Sequence, residues 1–158
     1  MAQKKDKIAH LVYETYIASI QNSVGSKMFR QYFVRVGSKK IDALRDGDLA
    51  CAFYVSSLLR IFDLIDETHT FVSNTEKDML KSGWFHVKPT GKLRVGAILV
   101  WGPKTFKKSR ETHKHIGFYI GHQKAISNNS KGGMPYVHKY DFRPIESVYW
   151  HQSFPSEI

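Results

Sequence analysis

One cysteine, Cys51, stands among the 158 residues. No disulfide can form within the chain, and a zinc site built from cysteines is excluded. Long apolar runs are missing too: no stretch of about eighteen apolar residues occurs, so no membrane-spanning helix is expected. The first twenty residues open MAQKKDK and continue as an amphipathic segment interrupted by Glu14. They have neither the apolar centre nor the small-residue cleavage site of a signal peptide. The localisation expected is therefore cytoplasmic, or release by lysis or a dedicated export machine.

Acidic residues are the other shortage. Lys and Arg outnumber Asp and Glu by 24 to 14, a formal net charge of +10. That balance favours anionic partners, whether cell-wall polymer, nucleic acid or anionic lipid, without choosing among them. The apolar content of 42% and charged content of 24% are ordinary for a globular chain and exclude disorder and collagen-like structure. This length reads most simply as one domain over residues 1–158, large enough to bury a core without metal or disulfide.

Helical periodicity dominates the first half. Ile8, Leu11, Val12, Tyr16, Ile17 and Ile20 share one face of a helix that ends before Gly25. Residues 26–48 carry no sustained period, with a short element around Tyr32–Val36. Asp48 is a candidate N-cap for a second helix whose stripe is Cys51, Tyr54, Val55, Leu58, Leu59, Phe62 and Ile65. Ser73 and Glu76 have capping-box spacing for a third helix closing at Gly83. Strands fill the second half. LRVGAILVWG, residues 93–102, predicts a strand buried on both faces, and 115–120 with 124–128 predict a hairpin turning at Gly121-His122-Gln123. Further strands are expected around Tyr136–Tyr140 and Ser147–Gln152. Helices followed by strands spell an α+β fold, with N-terminal helices packed on a C-terminal antiparallel sheet.

The candidate chemistry centres on Cys51 and His115. A cysteine in the first turn of a helix meets unpaired N–H groups and the helix dipole, which favour a thiolate and lower its pKa. A histidine at the head of a strand can be held rigidly against it as a base. The competing reading is a small buried hydrophobe, since Phe53 and Val55 are core-like neighbours.

CAFYVS at 51–56, GAILVW at 96–101 and HIGFYIG at 115–121 together resemble the NlpC-type papain-like peptidases and the related CHAP amidases. The likeness spans residues 48–130 in the family's order. It implies a papain-like fold and hydrolysis of amide bonds in bacterial peptidoglycan, with Cys51 as nucleophile, His115 as base and no cofactor. Ala50 and Ala52 stand where the peptidases often carry Asp and Ser, and Gly96-Ala97 replaces a frequent Gly-Asp. Permuted relatives that act on lipids place histidine before cysteine, the reverse of the order found here.

A third polar residue should orient the imidazole from the second hairpin strand, and Ser127, Asn128 and Asn129 are the candidates. Gap-free counting along the family's hairpin lands on Ser127. A two-residue turn at His122-Gln123 would pair Gly117 with Asn128, whereas a bulge would select Ser127. Asn128 is preferred, because an amide carbonyl is the better acceptor for a ring N–H.

Other readings are weaker. His113, His115 and His122 lack the spacing of a zinc motif. Lys104, Lys107, Lys108, Arg110 and Lys114 form a basic run that would border the site and draw in an anionic substrate. Phe106 alone is thin support for nucleic-acid binding. Trp84, Trp101 and Trp150 are expected in the core, with Trp84 or Tyr32 as possible walls of a substrate groove. The alternative to an enzyme is an inactive basic module of the same fold that attaches to cell-wall polymer or nucleic acid.

Overall fold

A computed structural model describes residues 6–105 and 111–156. Lys107, Lys108 and Arg110 of the basic run, and the aromatic Phe106, lie outside the described residues. The fold is α+β, with three helices and eight strands among the described residues: α1 (Val12–Asn22), β1 (Phe33–Val36), β2 (Lys39–Asp42), α2 (Cys51–Ile61), α3 (Val72–Lys81), β3 (Trp84–Val87), β4 (Ile98–Thr105), β5 (Thr112–Gly121), β6 (Lys124–Asn129), β7 (Met134–Lys139) and β8 (Ile145–His151). β1 and β2 form a separate hairpin. The other six strands form one antiparallel sheet in the order β3-β8-β4-β5-β6-β7.

Helix α2 packs on β5 and β6. Its buried Tyr54, Val55, Leu58 and Leu59 follow the expected helical stripe. Across the interface Ile98–Trp101 are fully buried, as a central strand covered on both faces requires. Phe118 makes T-shaped contacts with Tyr16 and Tyr54 at centroid distances of 5.9 and 5.5 Å, so α1, α2 and β5 meet at one aromatic junction. The Tyr54 hydroxyl lies 2.6 Å from Ser23 Oγ, tying α2 to the end of α1.

Several expected boundaries move, each for a local reason. Helix α2 stops at Ile61, because Asp63 adopts a left-handed φ of 53°; Leu64 and Ile65 are buried beyond the helix instead. Neither Asp48 nor Ser73 caps a helix. The N-cap positions are Ala50 and Phe71, without side-chain caps, and Glu76 accepts a hydrogen bond from Tyr149 Oη at 2.7 Å. Strand β4 begins only at Ile98, because the preceding backbone turns at Gly96 (φ 90°). The carbonyls of Val95 and Gly96 there accept bonds from the Tyr13 and Tyr16 hydroxyls.

Candidate active site

The approach to Cys51 is built by a tight loop. The Asp42 carboxylate accepts bonds from the backbone N–H groups of Tyr32, Leu44 and Asp46, winding residues 42–48 into a compact turn. Gly47 packs directly against Gly133. A Cβ at Gly47 would lie 2.5 Å from Gly133 Cα, closer than any side chain tolerates. This contact fixes the start of α2 against the β6–β7 turn. Cys51 is the first helical residue and is partly buried.

The β5–β6 hairpin supplies the opposite wall. His122 and Gln123 both have left-handed φ, 48° and 59°, as a two-residue turn of mirror-image type requires. A register shift between Tyr119 and Gly121 adds a bulge, so Gly117 pairs with Ser127. The expected Gly117–Asn128 pairing is therefore replaced by the register that selects Ser127. His115 Nε2 and Ser127 Oγ are 2.8 Å apart. Asn128 turns elsewhere: its Nδ2 donates to Gly47 O at 2.7 Å, and its buried Oδ1 has no hydrogen-bond partner among the described residues. Asn128 thus braces the loop before Cys51, and Ser127 holds the imidazole.

A third strand, β7, adds a residue to this site that the sequence did not point to. Ser127 Oγ also lies 2.7 Å from His138 Nε2, and His138 Nδ1 lies 2.7 Å from Lys139 O. On β7 His138 pairs with Ala125, while Ser127 pairs with Tyr136. His115, Ser127 and His138 therefore form a diagonal on one face of three adjacent strands. The small partners make the diagonal possible: a Cβ at Gly117 would stand 2.7 Å from Ser127 Cβ and 2.6 Å from Ile126 O. The strand expected at 136–140 placed His138 in the sheet, but the length of the SKGGMP turn hid its register.

Aromatic walls enclose both imidazoles. Trp101 lies 5.5 Å from the His115 ring and 5.6 Å from the His138 ring, and Phe142 lies 5.9 and 4.6 Å from them. Burial, with Arg143 and His138 adding to it, pushes the His115 pKa down to about 3. Burial also raises the Cys51 thiol, opposed by the N–H groups of Ile116, Ala52 and Cys51 and by the charge of Arg143. The lowered thiol pKa expected from the helix start is thus overturned: loss of solvation outweighs the helix-end donors. At neutral pH Cys51 rests as a thiol and His115 as a neutral imidazole.

Cys51, His115 and Asn128 line one cleft of about 730 Å³, together with Asp48, Lys104, Lys131, Tyr136, Phe142 and Arg143. Lys131 and Arg143 are cleft residues that the sequence reading passed over. Arg143 Nη1 donates to the carbonyls of Gly102 and His113 at 3.4 and 3.5 Å, and its guanidinium lies 5.4 Å from the Phe142 ring centroid. Lys114 is engaged by Glu146 at 2.8 Å and Glu76 at 3.6 Å, which offsets its charge. Trp84 is buried with Nε1 donating to Leu64 O, and Tyr32 packs on Phe53; neither lines the cleft. His113 meets Glu111. Among the described residues no group of three His, Cys, Asp or Glu could hold a metal ion, and no helix is long and apolar enough to cross a membrane.

No known protein family matches the chain. Nor does any curated protein.

Proposed function

We propose that the chain is a papain-like cysteine hydrolase that cleaves amide bonds of bacterial peptidoglycan, with Cys51 as nucleophile and His115 as base. One observation carries this reading: the only cysteine opens a helix and shares a cleft with a histidine whose Nε2 is already engaged by Ser127. The other ring nitrogen, Nδ1, is left for the thiol.

Because both partners rest neutral, the proton moves as attack occurs. His115 Nδ1 takes the thiol proton while Sγ bonds to the amide carbonyl carbon. Backbone N–H groups at the start of α2 face the developing oxyanion, and the Arg143 charge favours the thiolate. Collapse of the tetrahedral intermediate breaks the C–N bond, and His115 returns its proton to the leaving amine. Water, deprotonated by His115, then hydrolyses the thioester and restores the thiol. Lys104, Lys131 and Arg143 on the rim would receive the carboxylates of an anionic wall polymer.

The second reading is a basic binding module of the same shape with an inert cysteine, supported by those rim cations and the raised thiol pKa. Purified peptidoglycan incubated with wild type and with Cys51→Ala, followed by mass spectrometry of soluble fragments, separates the two. The hydrolase releases fragments with new amine ends that Cys51→Ala does not. Sedimentation of both proteins with the polymer, without released fragments, would favour the binding module.

A further inference from the structure

The polar diagonal on β5, β6 and β7 continues past the residue that touches His115, and its far end is chemically determined. A carbonyl oxygen only accepts hydrogen bonds, so the His138 nitrogen facing Lys139 O, Nδ1, must carry the proton. In a neutral ring the other nitrogen, Nε2, is then an acceptor. Ser127 Oγ, 2.7 Å away, donates its one hydrogen to it. With that hydrogen committed, Ser127 can only accept from His115 Nε2, 2.8 Å on the other side. The proton of neutral His115 therefore resides on Nε2, and Nδ1 keeps its lone pair.

We propose that His138 is a positioning residue of the Cys51–His115 site: acting through Ser127, it fixes His115 in the Nε2–H tautomer and so leaves Nδ1 as the base. This inference rests on the hydrolase reading for its purpose, but the tautomer itself can be observed without any substrate. A serine alone is an ambiguous orienter, since its hydroxyl could equally donate to His115 Nε2 and drive the proton to Nδ1, where it would block the thiol. His138 removes that ambiguity. No proton travels along the chain during the reaction. When Nδ1 takes the thiol proton, Nε2–H continues to donate to Ser127, and Ser127 to His138.

Protonation of His138 would reverse the order. Its Nε2–H would donate to Ser127, releasing the hydroxyl hydrogen toward His115. Burial lowers the His138 pKa and so protects the arrangement at neutral pH. The groups facing His138 are Tyr136 of its own strand, Ser127 and through it His115, and the rings of Trp101 and Phe142. Arg143, which acts on both His115 and Tyr136, adds positive charge nearby. No carboxylate among these groups holds a proton on His138.

The test is two-bond ¹H–¹⁵N NMR of the His115 ring in ¹⁵N-labelled protein at neutral pH. Wild type is expected as the Nε2–H tautomer. His138→Ala and Ser127→Ala are expected to lose that preference, and His138→Gln, whose amide oxygen can accept from Ser127, to restore it. Iodoacetamide labelling of Cys51 supplies a second readout. His138→Ala should slow it about tenfold, and adding His138→Ala to Ser127→Ala should slow it no further, because the two residues act in series. If His138→Ala fails to fold, His138→Gln and Ser127→Ala decide the matter. A His115 that keeps Nε2–H in Ser127→Ala or in folded His138→Ala overturns the proposal, as does full additivity of the two substitutions. Loss of peptidoglycan cleavage as a property of wild type, with the tautomer shifts as expected, would overturn the hydrolase reading alone.

Discussion

His69 and His115 both sit in hydrogen-bond networks, and they differ in what completes them. His69 meets the Asp78 carboxylate at 2.6 Å, and Asp78 is itself held by the N–H groups of Asp66 and Glu67 and by Ser82 Oγ. His115 meets a hydroxyl, an aromatic enclosure and the positive charge of Arg143. The first arrangement is a clasp: a carboxylate with its lone pairs satisfied joins the loop before α3 to the helix. The second leaves an imidazole neutral with one nitrogen uncommitted. A clasp needs a charge on its partner, whereas a base at neutral pH needs an unoccupied lone pair.

The contrast is sharpest in acid. The lowered His115 pKa means that the unfolded chain binds a proton that the folded one refuses between about 6.5 and about 3. The associated stability is full above 6.5 and is lost as pH falls through that window, on the order of 5 kcal/mol in total. For Asp78 burial alone would raise the pKa, but the bonds from His69, Glu67, Asp66 and Ser82 prevail and lower it. Its contribution is present above the ordinary carboxylate value of 3.8 and disappears as pH falls below it. Urea denaturation at pH 7, 5 and 4 should give a falling stability for wild type and a flatter dependence for His115→Gln.

Breaking the clasp is expected to have the next largest effect. Asp78→Ala leaves two backbone N–H groups, the His69 ring and Ser82 without their acceptor, costing about 3 kcal/mol of stability in urea denaturation. Labelling of Cys51 in the folded variant should be unchanged. Gly117→Ala comes next. The new methyl meets Ile126 O and Ser127 Cβ, so about 2 kcal/mol should be lost, and the β5–β6 separation at His115 should widen. Ser73→Ala should be smallest, within about 0.5 kcal/mol by thermal unfolding, because Ser73 does not cap α3.

These regions also differ in how legible they were. Period-3.6 and period-2 patterns located α2, β4 and the β5–β6 hairpin, because tertiary burial in this fold follows the apolar faces that the sequence advertises. Cys51 and His115 could be singled out because Cys51 opens a strongly patterned helix and His115 heads the alternating part of its strand, although β5 itself begins three residues earlier, at Thr112. What failed depends on single residues and on space. The bulge near Ile120 changed which of Ser127 and Asn128 reaches His115, and nothing local distinguishes that register from the unbulged one. Ser73 and Glu76 had the right spacing for a capping box, but Tyr149, 73 residues away from Glu76 in the chain, claimed the carboxylate. The β1–β2 hairpin is largely exposed and lacks a core-facing alternation, so only its first strand left a trace. His138 and Arg143 gained significance only when β7 and the chain before β8 closed around the cleft.

If His115 activates Cys51, the second-order rate of iodoacetamide labelling at pH 7 reads it most directly, compared in wild type, His115→Ala and, as the clasp control, His69→Ala. General-base assistance predicts a rate at least about tenfold lower in His115→Ala, with His69→Ala equal to wild type. Equal rates in wild type and folded His115→Ala would contradict the pairing and leave Cys51 a half-buried side chain without a base.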